Sequence, residues 1–246
     1  MQMDSGSGRL FIPGLYNARD LGAMTNADGK ALACHRLIRS DALDHLDKDS
    51  IDLLASYPVS VIIDLRSEEE AKNHPDTVCG DPRFSCYNIP LLRVNADDIN
   101  AGIISDTIKT SLGHLYIWMF ENSRPYFAEV LRTILREKEK TVLFHCAHGK
   151  DRTGLIAAIF YLLCDVEREK IIENYAVSYT YVEKLVAPLI AATPENVHHI
   201  YRSDESNMEL LLSHLDEKYD GRIGNYLSSC GLSEKEISDL RSILLP

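Results

Sequence analysis

The residues best suited to chemistry lie in one run, Thr141-Val-Leu-Phe-His-Cys146-Ala-His-Gly-Lys-Asp-Arg152-Thr-Gly154. Thr141–His145 reads as a short buried strand that ends at a cysteine. A tight loop containing Gly149 follows, then Arg152, Thr153 and a strongly apolar helix. A strand-loop-helix turn of this length aims successive backbone N–H groups into a concavity, and the helix N-terminus adds its positive end. Such a nest suits a tetrahedral dianion, held by the loop residues Ala147, His148, Gly149 and Lys150. Cys146 sits at its base, where amides, helix dipole and the Arg152 guanidinium all favour the thiolate. Arg152 returns to the same anion with a fork that fits two phosphate oxygens. A thiolate below a phosphate cradle is arranged to attack phosphorus and form a phosphocysteine that water then hydrolyses. Thr153 can donate a hydrogen bond toward the Cys146 sulfur and ease its departure.

Other readings of this run are weaker. A nucleotide-binding loop of the Gly-x4-Gly-Lys-Ser/Thr type needs Gly at 144 and Ser or Thr at 151, where the chain has Phe144 and Asp151. A merely buried cysteine is a good account of Cys164, set in Ile-Phe-Tyr-Leu-Leu-Cys. It does not explain His, Gly, Lys, Asp and Arg in the few residues after Cys146. A sulfurtransferase working through a Cys146 persulfide is a second class, and the Arg-Thr-Gly ending speaks against it. A non-catalytic module that reads phosphorylated partners is a third, but its usual mark is loss of the Cys or the Arg.

These residues must be positioned by the rest of a 246-residue chain that is 45% hydrophobic and 26% charged, with ordinary globular composition. The net charge of −11 argues against sequence-independent nucleic-acid binding. An anionic substrate is therefore held by a local site working against the global field. The longest apolar run, Leu155–Cys164, is about half of the ~20 residues a membrane-spanning helix needs, so no integral membrane association is expected. The start, Met1-Gln-Met-Asp, has no basic region followed by an apolar stretch, which gives a cytoplasmic expectation without deciding export. The six cysteines (34, 79, 86, 146, 164, 230) have no framework spacing and no CxxC, which favours reduced thiols and no metal site.

Helical spacing covers Ala42 to about Tyr57 and stops at Pro58. Val59–Leu65 reads as a buried strand, Ser67-Glu-Glu-Glu70 as a capping box opening a helix, and Phe84–Ile89 as another strand. A mobile lid is expected over 92–122, although Leu115–Glu121 within it has helical spacing. Pro125–Glu137 is amphipathic, Thr193-Pro194 looks like a helix start, and Met208, Leu211, Leu212, Leu215 and Tyr219 form one core stripe. Ser233-Glu-Lys-Glu236 is a second capping box. No repeat or linker divides the chain, so residues 1–246 are expected to form one domain. The alternation predicts an α/β fold: a central, mostly parallel sheet flanked by helices, with a helical C-terminal half.

His145-Cys-Ala-His-Gly-Lys-Asp-Arg-Thr-Gly154 resembles the His-Cys-x5-Arg-Ser/Thr signature of the cysteine-dependent phosphatases. The Gly-Lys-Asp-Arg-Thr-Gly form is similar to that of bacterial tyrosine/lipid phosphatases of dual or triple specificity. The likeness extends to Asn17-Ala-Arg-Asp-Leu-Gly22, Leu37-Ile-Arg-Ser-Asp-Ala-Leu43, Val61-Ile-Ile-Asp-Leu-Arg-Ser67 and the stretch from Gly221 through Leu245. What it implies is a cysteine-phosphatase-like fold and phosphate monoester hydrolysis without a cofactor. The partners it implies are phosphotyrosine-type protein substrates and often phosphoinositides. It also implies a contact from Lys150 to a second substrate phosphate.

The general acid is less clear from the residues. Asp151 suits either a helix cap or the proton donor to the leaving oxygen, and it stands ahead of Asp97 and Asp98 in the loop after the third strand. No Trp-Pro-Asp sequence marks that loop. Arg19 and Asp20 are expected to form a structural ion pair, Asp64 and Arg66 to pair at a strand end, and His145 to order the loop by a hydrogen bond. His148 is expected to shape the pocket, His198 and His199 to lie at the surface, and Tyr175, Tyr179 and Tyr181 to pack or wall the pocket.

Overall fold

The computed structural model describes residues 3–4, 7–92 and 111–245. Its sheet has five strands: β1 (Arg19–Asp20), β2 (Leu37–Ser40), β3 (Val59–Asp64), β4 (Ser85–Asn88) and β5 (Thr141–His145). Their order is β1-β2-β5-β3-β4, parallel throughout except for β1. β5 is central, and His145 at its end lies in register with Ser40 on one side and Asp64 on the other. The candidate loop therefore leaves the carboxyl end of the middle strand, where parallel α/β sheets build their sites.

The side-chain alternation of the strands divides the core between two faces. Leu37, Val61, Ile63, Val142 and Phe144 face one side; Ile38, Ile62 and Leu143 face the other. The helices are α1 (Lys48–Ser56), α2 (Glu68–Asn73), α3 (Leu112–Asn122), α4 (Arg124–Arg136), α5 (Asp151–Leu163), α6 (Arg168–Ala191), α7 (Glu205–Tyr219), α8 (Ile223–Ser229) and α9 (Glu234–Leu244). α5 continues directly from the loop and is buried nearly all round, so the loop is anchored at both ends in core. The stripe on α7 is buried as expected, and both capping boxes form with their two reciprocal hydrogen bonds. Among the described residues no helix is long and apolar enough to cross a membrane.

Several expectations are corrected. α1 starts at Lys48, not Ala42, because the Asp47 carboxylate caps it by accepting from Ser50 N. Thr193-Pro194 leads into a 3₁₀ turn, Glu195–Tyr201, and no side chain caps it. The lid does not extend to 122: residues 112–122 form α3, whose Leu115, Tyr116, Met119 and Phe120 belong to the core. Asp97 and Asp98 lie outside the described residues. Cys79 and Cys86 are joined in a disulfide, against the expectation of reduced thiols. The pair lies on the exposed edge formed by β4 and the 3₁₀ turn before it, where two cysteines seven residues apart meet only because the chain doubles back.

Candidate functional site

Residues 146–152 curl into a compact loop rather than an extended segment. Gly149 takes φ +64°, and a Cβ there would lie 2.4 Å from the Ser40 carbonyl oxygen, so both conformation and space demand glycine. Three carbonyls of this loop are held from outside. Ala42 N donates to Ala147 O (3.1 Å). Asn17 Nδ2 donates to His148 O and Gly149 O, both at 3.0 Å. Arg39 Nη2 donates to Gly149 O (2.7 Å). A trans peptide sets its C=O and N–H on opposite sides. The amides of His148, Gly149 and Lys150 are thereby turned the other way, into the bowl.

Cys146 is 2% exposed at the floor of this bowl. Arg152 lies in the first turn of α5. Its Nη1 and Nη2 donate to the two carboxylate oxygens of Glu70 at 2.7 and 2.8 Å. Burial alone would lower the Arg152 pKa, but Glu70 and the nearby Cys146 outweigh it and hold the guanidinium charged. Burial would also raise the Glu70 carboxyl, yet the same pair brings it down to about 2. Glu70 is the capping-box glutamate of α2 and accepts from Ser67 N as well, so one side chain fixes both a helix start and the arginine.

His145 stands immediately behind the cysteine, fully buried. Its Nε2 lies 2.9 Å from Asp76 Oδ2, and its Nδ1 is 3.3 Å from Cys146 O. Burial would lower its pKa, but Asp76 and Asp64 raise it, and the ring links the loop's first carbonyl to the carboxylates behind the sheet's end. Arg66 completes this cluster, donating to both oxygens of Asp64 and to Asp76 Oδ1. The ligand atoms of Asp64, Asp76 and His145 lie within 4.8 Å of one another, as a metal set would. The Arg66 guanidinium already bonds both of these carboxylates.

Two residues do not do what their position suggested. Lys150 is 1% exposed, and its Nζ donates to Asp151 Oδ1, Ile200 O and Arg202 O at 2.8, 3.1 and 2.7 Å. All three ammonium protons are spent inside the protein, so Lys150 does not reach a second substrate phosphate. Asp151 accepts from Lys150 and from the Tyr116 hydroxyl. Burial would raise its pKa, but Lys150 and Tyr116 bring it below the usual value. A carboxylate held ionised is poorly placed to donate a proton, which counts against Asp151 as the acid. Thr153 is buried, and its Oγ1 has no hydrogen-bond partner among the described residues, so the expected donation to the sulfur is not made here.

A cleft of about 380 Å³ opens beside the loop. Ala147, His148, Asp41 and Glu70 line it on the polar side, and Leu185 and Leu189 from α6 form part of an apolar wall. Burial dominates at His148 and lowers its pKa, leaving a neutral ring. Asp41 behaves oppositely to Asp151. Burial raises the pKa of its carboxyl above the ordinary value, despite hydrogen bonds from the Tyr16 and Asn17 amides.

Sequence reasoning missed Asp41, Asn17, Arg39 and Glu70 as site residues. The signal was present, because the first three lie in the first two blocks of the phosphatase resemblance and Glu70 in a capping box. Arg19 and Asp20 do not pair: Arg19 donates to Asn174 O and Ser178 Oγ, while Asp20 accepts from Tyr57, Gly22 and His35. Asp64 and Arg66 do pair. His198 is half-buried, with Nε2 2.9 Å from Thr193 O, and Tyr175 packs in the core.

The tyrosine phosphatase family profile matches residues 10–246. A tyrosine-protein phosphatase of Nostoc commune is 32% identical over 224 residues, covering 86% of this chain and 74% of that protein. The triple specificity protein phosphatase PtpB of Mycobacterium tuberculosis is 24% identical, over 95% of this chain and 98% of its own length. Among solved structures, P. aeruginosa TpbA aligns over 80% of this chain and 88% of its own at 17% identity, with a TM-score of 0.42.

Proposed function

The chain belongs to the tyrosine phosphatase family, and on that premise we propose a cysteine-dependent hydrolysis of phosphate monoesters at the 146–152 loop, with phosphotyrosine-type substrates. The observation that carries this reading is the outward pinning of the Ala147, His148 and Gly149 carbonyls, which turns the loop amides toward whatever sits above Cys146. Amides so fixed stabilise the charge that develops on the phosphoryl oxygens without reorganising at the moment of reaction.

The steps follow from the residues present. The Cys146 sulfur attacks phosphorus and forms an S–P bond while the P–O bond to the leaving group breaks. Arg152 and the loop amides hold the three equatorial oxygens. Asp41 gives its proton to the leaving oxygen. Water then attacks the phosphocysteine, Asp41 takes a proton from it, and the S–P bond breaks to release inorganic phosphate and the thiolate. Both cores lean on one sheet, and the chain acts as a single domain.

The apolar wall of the cleft favours an aromatic leaving group. Lys150 is bonded internally and offers no contact to a second phosphate, so phosphotyrosine is the preferred class over phosphoinositides. A malachite-green panel of phosphotyrosyl peptides, phosphoinositides and inositol phosphates tests this preference. Phosphotyrosyl peptides are expected to be turned over fastest; faster release from phosphoinositides would overturn it.

A further inference from the structure

We propose that Arg39 is a second cation of the phosphate site, a positioning residue that acts from beneath the loop on the same anion that Arg152 meets from above. This rests on the phosphatase reading and deepens it.

Arg39 lies on β2 and is 1% exposed. Its Nη2 donates to Gly149 O at 2.7 Å, and its Nη1 to Asn174 Oδ1 at 2.8 Å. Opposite it in register on β1 is Arg19, also 1% exposed, which donates to Asn174 O and Ser178 Oγ at 2.6 and 2.8 Å. Two guanidiniums thus share one cage of neutral groups from α6. Neither forms an ion pair with a carboxylate among the described residues, and neither Nε has a hydrogen-bond partner there. A buried charge without a counter-charge is costly, and a fold keeps one only where something negative answers it.

The structure offers few such groups. Burial brings Arg39 down to about 10, still protonated near neutrality, and the groups opposing burial are Tyr161, Cys146, Tyr175 and Asp151. Burial pushes the Tyr161 hydroxyl up to about 12 and raises Tyr175 further, so neither is an anion at working pH. Asp151 is already engaged by Lys150 and Tyr116. What remains is the anion bound by the 146–152 loop, whose Gly149 carbonyl Arg39 grips from below at 2.7 Å. Arg39 therefore does two things through one contact: it pins the Gly149 carbonyl outward, and it supplies positive charge under the loop. Arg19 keeps Arg39 in place by occupying the other half of the cage.

The test separates charge from bracing. Asn174→Asp keeps the acceptor for Arg39 Nη1 and adds a competing negative charge. Arg39→Lys keeps the charge, and Arg39→Gln removes it. Orthovanadate inhibition and the rate of iodoacetamide alkylation of Cys146 at pH 6 are measured on each variant, with thermal unfolding alongside. Asn174→Asp is expected to weaken vanadate inhibition about tenfold and slow alkylation by a similar factor, with a melting temperature unchanged or higher. Arg39→Gln is expected to lose at least as much, and Arg39→Lys to recover most of it. Wild-type vanadate affinity in a folded Asn174→Asp variant would overturn the inference and leave Arg39 a brace. That outcome is decisive even if Arg39→Gln fails to fold. A wild type that neither binds vanadate nor is alkylated at Cys146 would overturn the phosphatase reading itself, and this inference with it.

Discussion

Glu70 holds Arg152 by two hydrogen bonds, 2.7 and 2.8 Å, across 82 positions of sequence. The glutamate opens a short helix on one side of the sheet; the arginine opens the core helix that follows the loop. Each is fixed by its own helix start, so the fork that meets the phosphoryl group has its orientation set before substrate arrives.

Glu70→Gln should therefore lower kcat/KM roughly 10- to 100-fold on p-nitrophenyl phosphate, the usual cost of removing a group that orients a binding residue. The pair itself should survive mild acid. With the Glu70 carboxyl down at about 2, its contribution is present above the ordinary 4.5 and is lost only as pH falls toward 2. An acid limb near pH 4.5 that disappears in Glu70→Gln would contradict this.

The proton donor is read from opposite shifts at two carboxyls. Asp41→Asn should slow turnover of a phosphotyrosyl peptide by about 10²-fold or more, and of p-nitrophenyl phosphate much less, because the better leaving group needs less protonation. A donor must be protonated, so the rate should fall as pH rises past the Asp41 value, which burial lifts above the ordinary 3.8. That limb should vanish in Asp41→Asn and persist in Asp151→Asn. A limb lost in Asp151→Asn alone would return the role to Asp151.

Lys150→Ala should reduce activity on all phosphate esters alike, since the lysine's donors all point into the protein. Removing it leaves Asp151 without its ion-pair partner and should cost about 3 kcal/mol of stability, read by urea unfolding. Loss confined to multiply phosphorylated substrates, with stability intact, would contradict the geometry.

His145 should make stability depend on pH. Its folded pKa is raised by Asp76 and Asp64, so its contribution is whole below the ordinary 6.5 and is lost as pH rises through the folded value. Melting temperatures measured from pH 6 to 9 should fall across that interval, and the fall should flatten in Asp76→Asn. Equal slopes in the two proteins would mean His145 is not held as a cation.

Much of this was legible in the chain. The strand Thr141–His145, the glycine at 149 and the two capping boxes are local signals, and each formed as its own residues dictate. Cys146 and Arg152 were found because five residues of loop separate them. What the residues could not reveal depends on contacts far apart in sequence. Asn17 and Arg39 meet the loop only through sheet order, and Lys150 looked free because its acceptors, Ile200 O and Arg202 O, come from a distant turn. Cys79 and Cys86 carry no spacing signal; the doubling back of the chain before β4 brings them together.

Every step of the proposed hydrolysis passes through the sulfur of Cys146. Rapid acid quench of the protein with a ³²P-labelled phosphotyrosyl peptide, followed by peptide mapping, should place the label on Cys146 in wild type, and Cys146→Ser should show neither label nor turnover. Turnover retained by Cys146→Ser, or label carried on a different residue, would contradict it.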